Sequence, residues 1–386
     1  MNTFKFKIET SLSNIKKADW NSCAKNSSSK SNPFVSYEFL NALERSNSLN
    51  NNTGWFSRYL LIEDQNNEII GCSPSFIKNN SMGEYVFDHE WANAYQRAGG
   101  SYYPKIQVSI PFTPVTGRRL LVKDMSKYEE IILNLSNQLI KLTEETGSSS
   151  AHITFLTKEE TESLKKLGWL IRKDQQFHWK NNNYKNFDEF LLNLNSRKRK
   201  NIKKERSIFQ ESSIEIEHIT GNDIEEYHWD YFYNFYLDTT IRKWGQAYLN
   251  RDFFKIIGET MQKDILLIMA KNKNKYIAGA LNFLSNDTVY GRNWGCTEDH
   301  KFLHFELCYY QAIDFAIANN YKNVEAGAQG THKISRGYSP ETTYSAHWIK
   351  EKNFSNAIEE YLKYEVREVE KSKKILETYL PYKKEG

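Results

Sequence analysis

At 386 residues the chain has room for two domains, and at 39% hydrophobic and 14% aromatic it can fill ordinary cores, with Tyr (24) and Phe (22) in excess. A net charge of +4 is too small to argue by itself for a nucleic-acid partner, and four cysteines (Cys23, Cys72, Cys296, Cys308) without CxxC spacing exclude a disulfide framework and a zinc ribbon, which fits a reducing cytoplasmic setting. No apolar run approaches about 18 residues, so no membrane-spanning segment is expected, and the N-terminus lacks an apolar signal core.

Residues 4–9 alternate as a strand, and helical patterns follow at Ala18–Ala24 and Tyr37–Ser46. Arg58–Glu63 and Ile69–Lys78 read as two strands with a hairpin-like connection. Gly83–Arg97 is dense in aromatic and charged residues and is followed by Tyr102-Tyr-Pro-Lys and a strand at Ile106–Ile110. In Pro111-Phe-Thr-Pro-Val-Thr-Gly-Arg-Arg a rigid turn presents Arg118 and Arg119, which could meet a phosphate or carboxylate or simply stay solvated. Tyr128–Thr146 is an amphipathic helix, His152–Leu156 a buried strand, Lys158–Leu167 a helix stopped by Gly168, and Gln175–Lys180 a strand.

A different regime begins at Asn186. Ser196–Arg206 carries seven cations and one anion, a local charge of +6, so the rest of the chain sums to −2. Read as a helix, 196–209 points cations nearly all round its axis. Like charges four apart repel, and a phosphate or RNA partner would relieve them; a solvated face is the alternative. Then come a long aromatic helix (Asp223–Trp244), a helix (Asp252–Met261), three strands (Ile265–Ala270, Tyr276–Leu284, Thr288–Trp294), a helix (His304–Ala318), a strand (Asn323–Glu325) and a closing helix at 356–380. Both halves share one order: helices, a three-strand meander, helix, strand. That order predicts an α+β fold of two tandem GNAT-like (acyl-CoA N-acyltransferase) domains, mixed sheets flanked by helices, at 1–183 and 184–386. His300 and His304 stand four apart without a third ligand, so no metal is assigned.

The stretch Val324–Trp348 concentrates the chemistry. It breaks into a loop at Gly327 and Gly330 and packs Glu325, Gln329, His332, Lys333, Arg336 and Tyr338 close together. Glycine lets backbone approach a ligand, and a carboxylate, an imidazole and two cations there could serve a base and an anion site. His347 and Trp348 are expected to pack in the final strand. Before the helix at His304, the turn Cys296-Thr-Glu-Asp-His-Lys-Phe-Leu has two acids and lacks the glycines that coenzyme A-binding GNAT turns carry.

Gly83-Glu-Tyr-Val-Phe-Asp, Tyr102-Tyr-Pro-Lys, Pro111-Phe-Thr-Pro-Val-Thr-Gly, Ser196-Arg-Lys-Arg-Lys-Asn-Ile, Tyr290-Gly-Arg-Asn-Trp-Gly-Cys, His304-Phe-Glu-Leu-Cys-Tyr-Tyr-Gln and Glu325-Ala-Gly-Ala-Gln-Gly-Thr-His-Lys together resemble the FemAB-like predicted N-acyltransferases of the GNAT superfamily, the peptidoglycan biosynthesis/recognition proteins. The resemblance runs from about Ser57 to about Tyr361. The chain departs from the family's pattern at Thr331, where Glu is frequent, and at Arg118, where Pro is common.

The resemblance implies transfer of an acyl or aminoacyl group from an activated thioester or a tRNA ester to an amine, in cell-wall or peptide modification. It implies no tightly bound cofactor, with acyl-CoA or aminoacyl-tRNA as co-substrate. Glu325 or His332 would be the base, and Lys333, Arg336 or backbone N–H groups near Gly327 the oxyanion or phosphate donors. Tyr290, Arg292, Trp294, Gln329, Arg336 and Tyr338 would contact substrate, and Arg197, Lys198, Arg199 and Lys200 the phosphates of a tRNA or other donor. A peptide, cell-wall precursor or small molecule would bring the amine. The alternative is a non-catalytic peptidoglycan- or RNA-binding module on the same fold. A peripheral contact of 197–206 with an anionic membrane is a further option.

Overall fold

The computed structural model describes residues 4–25, 32–244, 246–327 and 330–383. The chain forms two units, Met1–Asp174 with Thr342–Lys371, and Gln175–Glu341 with Ser372–Gly386. The boundary falls at 174/175 instead of 183/184, and 342–371 joins the first unit. Sequence order alone hides this, because the strand and helix that close the first unit come at the end of the chain.

Through the first unit run β1 (Lys5–Glu9), α1 (Lys17–Ala24), α2 (Tyr37–Arg45), β2 (Trp55–Ser57), β3 (Tyr59–Glu63), β4 (Ile69–Ser73), β5 (Ser75–Lys78), α3 (His89–Arg97), β6 (Lys105–Val108), β7 (Leu121–Val122), α4 (Tyr128–Glu145), β8 (Ser150–Leu156), α5 (Lys158–Lys166) and the start of β9 (Leu170–Lys180). The single strand expected at 69–78 breaks at Pro74, which lacks a ladder N–H, and its halves enter different sheets. One sheet has the order β1-β3-β4-β7. In the other, β6 pairs antiparallel with β5 and parallel with β8, through Ile106–Ala151 and Val108–Ile153. The α4 stripe Ile131, Ile132, Leu135, Leu139 and Leu142 packs on Ile106, Val108, Ala151 and Ile153 as the core.

The second unit follows with α6 (Phe187–Leu192), α7 (Ser196–Gln210), β10 (Glu215–Thr220), α8 (Glu226–Trp244), α9 (Arg251–Thr260), β11 (Ile265–Asn272), β12 (Lys275–Leu284), β13 (Thr288–Cys296), α10 (Leu303–Phe305), a π-helical segment Glu306–Tyr310, α11 (Gln311–Ala318) and β14 (Asn323–Glu325). Its sheet order is β10-β11-β12-β13-β14-β9. Strand alternation sends Leu266, Ile268 and Ala270 to the core shared with Leu307, Tyr310, Ile313 and Ile317. On the other face Gly279 lies against Phe232 and Phe235 of α8. β15 (Ser339–Ile349) and α12 (Lys352–Thr378) finish the chain, and each contributes residues to both units. In β15, Tyr344–Ile349 pair antiparallel with β8. Each unit thus has an antiparallel run, a helix and one parallel strand pair, the tandem GNAT-like α+β fold with mixed sheets flanked by helices.

Candidate functional site

In the second unit the parallel pair is very short. β13 and β14 pair only through Thr288–Asn323, Val289–Val324 and Tyr290–Glu325. Beyond them β13 continues to Cys296, while the other chain leaves its strand at Ala326. Opposite, β12 and β13 shift register: Asn282 faces Gly291 and Leu281 faces Asn293, so Arg292 is the extra residue of a bulge. A bulge re-aims side chains, and here it lies where the strands part.

The parting leaves a hollow of about 130 Å³ lined by Arg292, Trp294, His304, Cys308, Tyr309 and Ala326, among others. A second hollow of about 230 Å³ lies between Trp294 and the loop 298–303. Both share Trp294 and His304, whose rings are 4.9 Å apart. The π-helical segment puts Cys308 and Tyr309 on the first hollow; such wide turns inside α-helices recur at functional sites. Nothing in the sequence marks it, so Cys308 and Tyr309 were not expected there.

Of the residues expected to act, Glu325 ends β14 with Oε1 3.8 Å from Nδ1 of His178, its register partner on β9. His332 is exposed, with Nε2 2.9 Å from the Tyr309 hydroxyl. Partial burial, then Arg336 and Lys333, hold its pKa below the ordinary imidazole range. Lys333 is buried, and its Nζ donates to the Gly327 carbonyl at 2.9 Å. Burial pushes it down to about 8, with the Cys308 thiol opposing. It steadies the loop that leaves β14.

Arg292 lines the first hollow and Trp294 both. Tyr290, Arg336 and Tyr338 are buried instead, and Tyr338 packs within the core on Tyr309. Gln329 lies outside the described residues. Arg118 and Arg119 of the first unit are not offered to an anion. Arg119 is buried, its guanidinium on the Gly117 and Arg118 carbonyls, and Arg118 lies 5.5 Å over the Tyr128 ring and 3.6 Å from Glu159.

The basic segment forms α7, capped by the Asn195 side chain on the Lys198 N–H. Its charge does not point all round. Ile202 and Phe209 are buried, and between them Glu205 and Arg206 turn inward. Arg206 bonds Glu306 at 2.9 Å and Asp314 at 2.7 Å, over the Phe187 ring. Arg197, Lys200 and Lys204 remain on the exposed face, with Lys198 and Arg199 at its flank. In the loop before α10, His300 Nε2 is 2.9 Å from Glu298 Oε2 and not turned to His304. Phe302 takes a left-handed φ of +67° at the helix start. Glu298 and Asp299 line the second hollow in the loop that precedes this helix.

No curated protein matches the sequence. Among solved structures the chain is similar to the crystal structure of FemX, at 12% identity over 89% of this chain and 98% of that one, TM-score 0.55. It is also similar to L-PGS from Bacillus licheniformis, at 8% identity over 84% and 94%, TM-score 0.51. A conserved protein of unknown function from Bacteroides thetaiotaomicron VPI-5482 shares 11% identity over 90% and 99%, TM-score 0.50. At such identities the likeness shows the fold. Among the described residues no helix is long and apolar enough to cross a membrane. The model of the FemAB-like family, described as peptidoglycan biosynthesis/recognition, matches residues 11–384, and the chain belongs to that family.

Proposed function

We propose that this chain is an aminoacyltransferase that passes an aminoacyl group from a tRNA ester to the amine of a peptidoglycan precursor or related acceptor, in the cytoplasm where charged tRNA is found. The carrying observation is the pairing of an acidic loop ahead of α10, Glu298 and Asp299, with an exposed cationic face on α7. The first repels a pyrophosphate; the second suits a phosphate backbone. Membership of the FemAB-like family, described as peptidoglycan biosynthesis/recognition, supports the acceptor in this reading.

The amine attacks the ester carbonyl, an amide bond forms, and the ester oxygen leaves as the tRNA hydroxyl after taking a proton. His332, held neutral by its surroundings, is the group to accept the amine's proton, with Glu325 as the alternative. Lys333 fixes the Gly327 loop, whose backbone N–H groups are the proposed oxyanion donors. Arg292 and Trp294 position the acyl group, and Arg197, Lys198, Arg199 and Lys200 hold phosphates.

The test is binding of aminoacyl-tRNA against coenzyme A, by filter retention and calorimetry. Micromolar, salt-sensitive tRNA binding lost on substituting the α7 cations supports the reading. Coenzyme A binding insensitive to those substitutions moves the donor to the 298–303 hollow and makes the enzyme an acyl-CoA transferase. Binding of neither donor leaves the non-catalytic peptidoglycan-binding role.

A further inference from the structure

In the first unit the face of the sheet opposite its apolar core is polar, yet it too is buried. Strand alternation sends Ile106, Val108, Ala151, Ile153 and Ala346 into the core. The residues between them, Lys105, Gln107, His152 and His347, are 0%, 0%, 2% and 1% exposed. His152 stands opposite Gln107 on one side and His347 on the other. Burying such a face is costly unless each group is paired, and the cost points to use.

Lys105 is its hub. Its Nζ donates to Ser81 Oγ at 2.9 Å, to Glu84 Oε2 at 2.7 Å and to Asp88 Oδ2, which spends all three ammonium protons. Tyr102 donates its hydroxyl to Asp88 at 2.7 Å, and the same oxygen lies 3.3 Å from His152 Nε2. His152 Nδ1 and His347 Nδ1 are 2.7 Å apart, and the outer nitrogens bond Ser150 at 2.7 Å and Ser345 at 2.9 Å. An Nδ1–Nδ1 contact needs one proton between two nitrogens, so this chain has two tautomeric settings.

Three acceptors stay unspent. Glu84 Oε1, Asp88 Oδ1 and Gln107 Oε1 are buried and have no hydrogen-bond partner among the described residues. Gln107 lies on the Lys105 face of β6, two residues along. Where both are ionised, above about pH 7, two carboxylates against one paired ammonium leave the cluster short of positive charge. Lys78 does not supply it: burial pushes it down to about 7, and its Nζ is already held by the carbonyls of Thr53 and Met82. The two acids also differ. Burial lifts Glu84 to about 7, whereas Asp88, despite burial, is held well below the carboxylate range by Lys105. Two carboxylates whose environments drive them apart divide into a proton acceptor and a fixed counter-charge.

We propose that the N-terminal unit holds a binding site for the ammonium group of a small primary amine, in which Glu84, Asp88 and Gln107 accept its N–H groups and Glu84 exchanges a proton with it. The ammonium gives one proton to Glu84 Oε1 and leaves a neutral amine beside a neutral carboxylic acid; no other atom moves. Asp88, fixed by Lys105 and Tyr102, supplies the counter-charge, and the His152–His347 pair is joined to the site through Tyr102.

The test is calorimetric titration of the full chain with n-propylammonium chloride, without any acyl donor, so its outcome is separate from that of the transfer reaction. Saturable one-site binding is expected at about pH 8, weakening about tenfold per unit below pH 7 as Glu84 gains its own proton. Tetramethylammonium, without N–H groups, should not bind. Glu84→Gln should weaken binding at least about tenfold, one lost charge-assisted hydrogen bond, and flatten its pH dependence. Gln107→Leu, which leaves the Lys105 partners untouched, should weaken it severalfold, and the imidazole ¹⁵N signals of His152 and His347 should move on titration of the unaltered chain. Absence of saturable binding up to roughly 100 mM, far above the millimolar range of weak sites, overturns the proposal. So does binding that both variants leave unchanged.

Discussion

Arg336 holds Glu205 of α7 with one guanidinium nitrogen 2.9 and 3.1 Å from its two carboxylate oxygens, while the same guanidinium lies 3.6 Å over the Phe305 ring. Tyr310 adds its hydroxyl to the same carboxylate. The arginine expected to grip a substrate anion instead fastens the basic helix to the helix beside the hollows. Arg336→Ala should therefore cost about 3 kcal/mol of stability, most of it from the stranded carboxylate. Arg336→Lys should recover little, since a lysine cannot reproduce the planar fork or the stacking. The shift of the urea midpoint at constant slope checks both.

Lys333 makes stability rise with pH in the alkaline range. Its folded pKa, about 8, lies below the ordinary lysine value of 10.5, so between them the unfolded chain binds more protons than the folded one. The burial penalty is full below about pH 8 and relieved as pH rises toward 10.5, by up to about 1.4 kcal/mol per unit. In Lys333→Met this rise should vanish from denaturant curves collected across that window.

The outward cations of α7 should carry the salt dependence of tRNA binding. Replacing Arg197, Lys200 and Lys204 together by Ala should reduce the slope of log K against log salt by about 2 to 3. Thermal stability should change little, because these side chains are exposed. Arg206→Ala is the contrast: it breaks the partly buried contacts with Glu306 and Asp314 and should lower the melting temperature by several degrees, as a loss of about 2 kcal/mol would.

Activity should show an acid limb set by His332. Burial and the neighbouring cations hold this imidazole below 6.5, so it stays neutral and able to accept a proton through the neutral range and loses that ability only as pH falls further. His332→Ala should lower kcat about 100-fold, the usual contribution of a general base, and remove the limb. Tyr309→Phe, which takes away the hydroxyl on Nε2, should displace the limb with a smaller loss.

Gly295→Ala should be among the most damaging changes in β13. A Cβ there would sit 1.9 Å from the Phe235 carbonyl oxygen, and that oxygen is helix backbone that cannot rotate away. The cost should be at least about 2 kcal/mol, read from thermal or urea unfolding.

The period of the apolar residues made the strands of the second unit legible. Ile265–Ala270, Tyr276–Leu284, Thr288–Trp294 and Asn323–Glu325 were expected within two residues of where they lie. The helix His89–Arg97 and the strand Glu215–Thr220 were missed because exposed polar and aromatic residues blur their periods. Within the site, glycines and clustered polar residues pointed to the Gly327 loop, while Arg292 and Trp294 lie on the first hollow. Composition could not tell a cation facing solvent from one facing an internal acid, which is why Arg336 and Arg206 were misread. The polar sheet face of the first unit was illegible for a related reason. Lys105, His152 and His347 are distant in sequence, and only strand pairing brings them together.

The interleaved segments of the two units bear on how the chain comes off the ribosome. The first unit lacks β15 and most of α12 until Lys371 has been added, nearly two hundred residues after Asp174. The second lacks Tyr382, whose hydroxyl bonds the Gly337 carbonyl, until 45 residues after Gly337. At ordinary synthesis rates the first 174 residues wait about ten to forty seconds with an incomplete sheet edge. Vectorial folding gives this protein no finished N-terminal half, so a nascent chain stalled between the end of the first 174 residues and the final helix exposes two unfinished units.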